Sequence, residues 1–159
     1  MEVRVYMKKT VIIVFLFFIL CGGVFAQSAA QEIETLLETR AITYAQAARF
    51  VLEASDVLVT SNPNEAFNFA AENNWLPRNA SPNQAARLNG VALLFMKSFD
   101  IPGGLLYSNA GGAHYAYREM VYRGYIQGRI DPEMNVSGEL LLFITGRVLS
   151  DLERNTLRR

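Results

Sequence analysis

The chain holds one cysteine, one histidine and one tryptophan in 159 residues, and its 15 basic side chains are balanced by 15 acidic ones. Each scarcity removes a class of function. A single histidine excludes a multi-histidine metal site. The balanced charge argues against a nucleic-acid partner, which needs a basic face. No apolar run approaches the roughly 20 residues of a membrane-spanning helix; the longest opens at Val11 and closes at Leu20. Cys21 lies at the end of that run, so the chain beyond it can form neither a disulfide nor a thiolate metal site. Stability there must come from packing.

What stands at the N-terminus is a secretory signal. Lys8 and Lys9 precede the apolar run, Gly22 and Gly23 follow it, and Val24-Phe25-Ala26 offers a small-x-small-like cleavage site before Gln27. Met7 directly before the lysines is a candidate start. Cys21 would be the lipidation position of an anchored form, but Leu20 before it is bulkier than such sites take. The expectation is residues 1–26 as signal peptide, export to the periplasm or cell envelope, and a mature part over 27–159 with no transmembrane segment. Those 133 residues suit one domain with one core. Their charge is −2, from 12 basic and 14 acidic side chains, and eleven of the basic ones are arginine, Lys97 being the exception.

Hydroxyl residues mark helix starts. In "TYAQAARF", Thr43 and Gln46 have the spacing of a capping box, and "SPNQAARL" repeats it with Ser81 and Gln84, adding Pro82 where a first helical turn tolerates it. Apolar residues follow at intervals of three and four: Ala47, Ala48, Val51 and Leu52 after Thr43, then Ala85, Leu88, Val91, Ala92 and Phe95 after Ser81. A third start, Ser137, opens "GELLLFITGRVLSDLE", whose run Leu140 to Ile144 is apolar on every side, the mark of a central, mostly buried helix. A shorter helix precedes each: "EIETLLETR", "NEAFNFAAENNW" and "AHYAYREMVYRGYI", the last two alignable at an offset of fifty. "TSNPN" and the glycine-rich "IPGGLLYSNAGGA" read as loops between pairs. The fold class is therefore all-α, a bundle of about six helices in three helix-pair repeats, over about 30–60, 62–100 and 110–157.

The third pair resembles an S-layer homology repeat. His114-Tyr115-Ala116, Gly124-Tyr125-Ile126-Gln127-Gly128, Asp131-Pro132 and Val136-Ser137 stand where that family has its His-aromatic-Ala, its glycine-bounded hydrophobic turn, its Asp/Pro turn and its Val-Thr. "ITYAQAARF" and "SPNQAARL" are similar to the family's second-helix start. The resemblance implies a pseudo-threefold helical domain and noncovalent attachment to anionic cell-wall polysaccharide through an arginine in a Thr-Arg-x-Glu segment. On this alignment the arginine position holds Tyr44, Pro82 and Gly138.

The expected function is thus a noncatalytic cell-envelope module that binds envelope glycan or scaffolds envelope proteins, with no cofactor and no metal. The ligand-binding candidates are Arg118, Arg123 and Arg129, whose planar forks suit carboxylate or phosphate, with Tyr115 and Tyr125 as aromatic surfaces. Arg49 and Arg87 read as partners of nearby carboxylates, and His114 as structural. Two alternatives stand beside this: a periplasmic adaptor that binds only a protein partner, and a small hydrolase using Asp131 with Glu133 or Glu139.

Overall fold

In the computed structural model, residues 31–128 and 131–157 are described. The signal segment, Cys21 and Arg129 lie outside them. Among the described residues there are seven helices and no strand. Helix α1 covers 31–38; then come α2 (Tyr44–Ala54), α3 (Pro63–Glu72), α4 (Leu88–Ser98), α5 (Leu105–Ala110), α6 (Gly112–Tyr122) and α7 (Gly138–Thr156). One compact unit begins at Leu37 and contains α2 to α7.

Local chemistry sets most of the boundaries. Thr43 and Gln46 form the expected capping box: the Gln46 amide donates to Thr43 Oγ1 at 3.2 Å, and the Thr43 amide donates to Gln46 Oε1 at 2.9 Å. Asn62 caps α3, with Pro63 as its first residue. Ser137 accepts from the Leu140 amide at 3.2 Å to open α7. Such caps each contribute about 1 kcal/mol. At the other ends the chain turns through left-handed residues, Asp56 after α2, Asn74 after α3, Asp100 after α4 and Gly124 after α6.

Ser81 is the exception. The sequence places a helix start there, yet Ser81 to Gln84 close a single turn and α4 begins only at Leu88, after Arg87. A helix opening at Ser81 would pair the Ala86 amide with the Pro82 carbonyl. Instead Pro82 accepts from Ala45 at 3.1 Å, and Ala86 donates to Ile42 at 2.8 Å. Long-range backbone bonds have claimed the groups a helix would use. The two Gln-Ala-Ala-Arg stretches are therefore not equivalent: one lies inside α2, the other is the extended approach to α4.

Those bonds belong to a ring. The Ile42 amide donates to the Val136 carbonyl at 2.9 Å, Val136 to Ala86 at 2.9 Å, and Ala86 to Ile42 at 2.8 Å. All three residues are fully buried. Each is followed by a cap residue (Thr43, Arg87, Ser137) and then by a helix. Around the ring, Tyr44 donates to Gln84 and Leu88 to Met134, both at 3.0 Å, and isolated bridges join Thr43 to Ala85 and Arg87 to Asn135.

The core forms on helix faces leading away from this ring. α2 packs with α3 and α4 with α6. Ala47, Ala48, Val51 and Leu52 of α2 meet Ala66, Phe67 and Ala70 of α3 as fully or largely buried sets, and α4 buries Val91, Leu94, Phe95 and Met96. Helix α7 departs from expectation. Leu141, Ile144 and Val148 are buried, but Phe143 is 54% exposed and Leu140 and Leu142 are only half-buried. Its apolar run covers one face of contact, with the remainder at the surface. The glycine-rich stretch also differs, because Leu105–Ala110 is helical rather than a loop. No helix among the described residues is long and apolar enough to cross a membrane.

Candidate functional site

The five ligand candidates fall into three places. Tyr115 and Arg118 lie on α6, three residues apart, and Tyr122 follows four later, so all three share one helix face. Arg118 is exposed and has no ion pair or hydrogen bond among the described residues; Tyr122 is 87% exposed. The Tyr115 ring also meets the exposed His114 ring edge-to-face at 5.4 Å. Arg129 lies outside the described residues. Arg123 and Tyr125 sit elsewhere, at the mouth of a cleft beside α7.

Arg123 has structural work there. Its Nε donates to Glu119 Oε1 at 3.0 Å and its Nη2 to the Pro102 carbonyl, while the Gly104 amide donates to Glu119 Oε2 at 3.1 Å. This clasp fixes the start of α5 against the end of α6. The Tyr125 ring is buried, and its hydroxyl donates to Asp151 Oδ2 at 2.7 Å. Burial, and then the bonded carboxylate of Asp151, push the phenol above the ordinary tyrosine value of 10.0. Burial likewise raises Tyr44 and Tyr107. A group whose folded pKa is raised holds its proton more tightly when folded, so its stabilisation is complete below about pH 10 and is lost as pH rises through the folded value. The urea midpoint is expected to stay level as pH approaches 10 and to fall above it, and less steeply in Tyr125→Phe.

The cleft itself, about 570 Å³, runs between the turn Arg123–Gln127 and the outer face of α7. Phe143, Gly146, Arg147, Ser150, Asp151 and Arg154 line it from the helix. Arg147 Nη1 donates to the Gly124 carbonyl at 3.0 Å, and its guanidinium carbon stands 4.1 Å from the Phe143 ring centroid. Arg154 lies 3.5 Å from Asp151 Oδ1. Sequence reading missed Phe143, Arg147 and Asp151 because the apolar run of α7 marked that helix as interior. The detectable signal was Gly146, a glycine in the middle of a helix.

A smaller cavity of about 150 Å³ lies at the ring's edge, lined by Tyr44, Pro77, Gln84, Arg87, Asn89 and Glu133 among others. Glu133 accepts from both Arg87 and Asn89, and its amide donates to Asp131 Oδ1 at 2.9 Å. Of the three acids weighed for a hydrolytic pair, Glu133 fastens the turn before α7 to the start of α4, Asp131 accepts the Glu133 amide within that turn, and Glu139 is exposed in the first turn of α7. Arg87 pairs with a carboxylate as expected, and so does Arg49, 3.6 Å from Glu53. Tyr44, almost wholly buried, receives the Arg87 amide on its hydroxyl at 3.3 Å and lies against Gly90.

No family model matches the chain, and neither the curated proteins nor the solved structures contain a match to it.

Proposed function

We propose that this chain is an exported module of the cell envelope, a divergent relative of S-layer homology domains, that binds envelope glycan or scaffolds envelope proteins without a catalytic centre or cofactor. In this reading the sequence holds three successive helix pairs, α1 then α2, α3 then α4, and α6 then α7. The backbone ring of Ile42, Ala86 and Val136 supports that plan, since each pair's second helix starts immediately after one ring member. Left-handed Asp56 and Asp100 end two of the second helices, and Asn74 and Gly124 end two of the first. Aligned on the ring, the family's arginine position falls on Tyr44, Leu88 and Gly138, with Leu88 replacing Pro82.

With no arginine at those positions, polymer binding needs another surface. The observation that carries it is the α6 stripe Tyr115, Arg118 and Tyr122: two aromatic rings available for stacking on sugar rings flank a cation with no partner among the described residues. Co-sedimentation of the protein with purified insoluble cell wall tests this. Saturable pelleting that weakens at raised salt is expected, and Arg118→Ala and Tyr122→Ala should each reduce affinity about tenfold while leaving stability within about 0.5 kcal/mol, as exposed positions do. Absence of pelleting by the wild type would refute glycan binding.

The adaptor reading draws on α5, where Leu105 is 83% and Leu106 60% exposed on neighbouring positions. Apolar side chains so presented suit a protein surface better than a polysaccharide.

A further inference from the structure

The cleft beside α7 contains a cation held in place without a counter-charge. Arg123 is paired with Glu119 and Arg154 with Asp151, but no carboxylate among the described residues pairs with Arg147. A carbonyl and a ring face orient it instead, which leaves most of its five N–H donors without a partner among the described residues, on a side chain that lines the cleft. Fixing a guanidinium in this way removes the entropy cost that a ligand would otherwise meet.

Gly146, next to it, adds an independent sign. Glycine inside a helix costs about 1 kcal/mol relative to alanine, and a Cβ placed there would meet nothing within 4 Å. No packing among the described residues requires the glycine. The ninth residue of α2 is Leu52 and that of α4 is Met96, both buried, whereas the ninth of α7 is this exposed glycine on the cleft floor. The space is kept open at a cost to the helix.

We infer that this cleft binds the C-terminal carboxylate of a polypeptide whose last side chain is apolar. Arg147 supplies a fork for the carboxylate. Asp151, one turn further along α7, is an acceptor that would repel a bare anion such as phosphate but would receive the terminal residue's own amide N–H, one Cα away from the carboxylate. Its Oδ1 carries only the long contact to Arg154. Leu142 and the exposed part of Phe143, one turn before, offer apolar surface to the last side chain. A sugar acid would waste that apolar surface, and a fatty acid would leave Asp151 without a donor. The site does not depend on wall binding.

The test titrates the ¹⁵N-labelled protein with acetyl-Gly-Ala-Leu as free acid, with the same peptide as C-terminal amide, and with D-glucuronate. The acid should give saturable shifts at the Gly146 amide and Arg147 Nε–H, with the amide about tenfold or more weaker, as expected for loss of a charge-assisted pair. Arg147→Gln should weaken the acid by a similar factor. Because Arg147 also braces Gly124, Gly146→Leu serves as the second variant: it should block the peptide while leaving the thermal midpoint level or raised. Equal binding of acid and amide, undiminished binding in both variants, absence of saturable shifts, or stronger shifts from glucuronate would each overturn the assignment. Wall co-sedimentation separates the two proposals: Gly146→Leu should pellet as the wild type does, and a wild type that binds peptide without pelleting removes the glycan reading alone.

Discussion

Replacing Ala86 with proline is expected to cost the unit that begins at Leu37 about 2–6 kcal/mol of stability. Proline has no amide hydrogen, so the Ile42 carbonyl loses its donor in a place where all three ring residues are fully buried. An unsatisfied buried carbonyl costs about 1–3 kcal/mol, and the pyrrolidine ring must also enter a site that holds a methyl group, at about 1–3 kcal/mol more. Against a total stability of about 5–15 kcal/mol, the two together, about 2–6 kcal/mol, remove a large share of it. Ala85 before it is already in a bridge, so the extended conformation that precedes proline adds no cost there. Thermal and urea unfolding followed by circular dichroism would show a markedly earlier transition. A variant that melts cooperatively within a few degrees of the wild type would mean the ring is dispensable.

Gly90→Val is the second large effect, and it acts through volume. A Cβ at Gly90 would stand 2.5 Å from Tyr44 Oη, 2.8 Å from Tyr44 Cε1 and 3.0 Å from Pro77 Cγ. Tyr44 is the first residue of α2 and almost fully buried, with its hydroxyl receiving the Arg87 amide, so the ring has no free direction of retreat. Even alanine must displace it, and its gain in helix propensity of about 1 kcal/mol only partly offsets that. For valine a loss of about 3 kcal/mol is expected, at the upper end of overpacking costs, lowering the melting temperature by about 10 °C or more. Gly90→Val paired with Tyr44→Ala should recover part of the loss, because the second change empties the space the first one needs. No recovery in the pair would place the strain elsewhere.

Comparing Thr43 with Ser81 shows what was legible in the sequence. Both have a hydroxyl, a glutamine three residues on and apolar residues at helical intervals, and only Thr43 opens a helix. The difference lies in partners remote along the chain: Ala45 and Ile42 take the Pro82 carbonyl and the Ala86 amide. Periodicity reads which residues share a face, and it found α2, α3, α6 and the start of α7; the caps of α2, α3 and α7 are local side chains, and α6 follows a glycine without one. Periodicity gave no access to backbone bonds between segments, nor to α5, whose six residues are too short for a periodic signal. The run Leu140–Ile144 misled in a related way. Apolar residues on all sides indicate burial only if enough chain is present to cover them, and here Phe143 remains at the surface. Residue type singles out Arg123 and Tyr125, which line the cleft, but not Arg147, because the apolar run of α7 marks that helix as interior.

The ring has a consequence for the order in which the chain acquires its structure. Its three members come from early, middle and late sequence, so a chain grown only as far as α6 can make the Ile42–Ala86 contact and nothing that depends on Val136. Closing it requires two long loops to be drawn in, an entropy cost that local helix formation cannot defray. Individual helices form in under a microsecond or so, but the complete ring waits on its final third, and non-local contacts of this kind slow folding relative to helix formation alone. The packing of α2 with α3 and of α4 with α6 involves no residue beyond α6, whereas the closed ring requires Val136, a property of the connectivity that no single helix possesses.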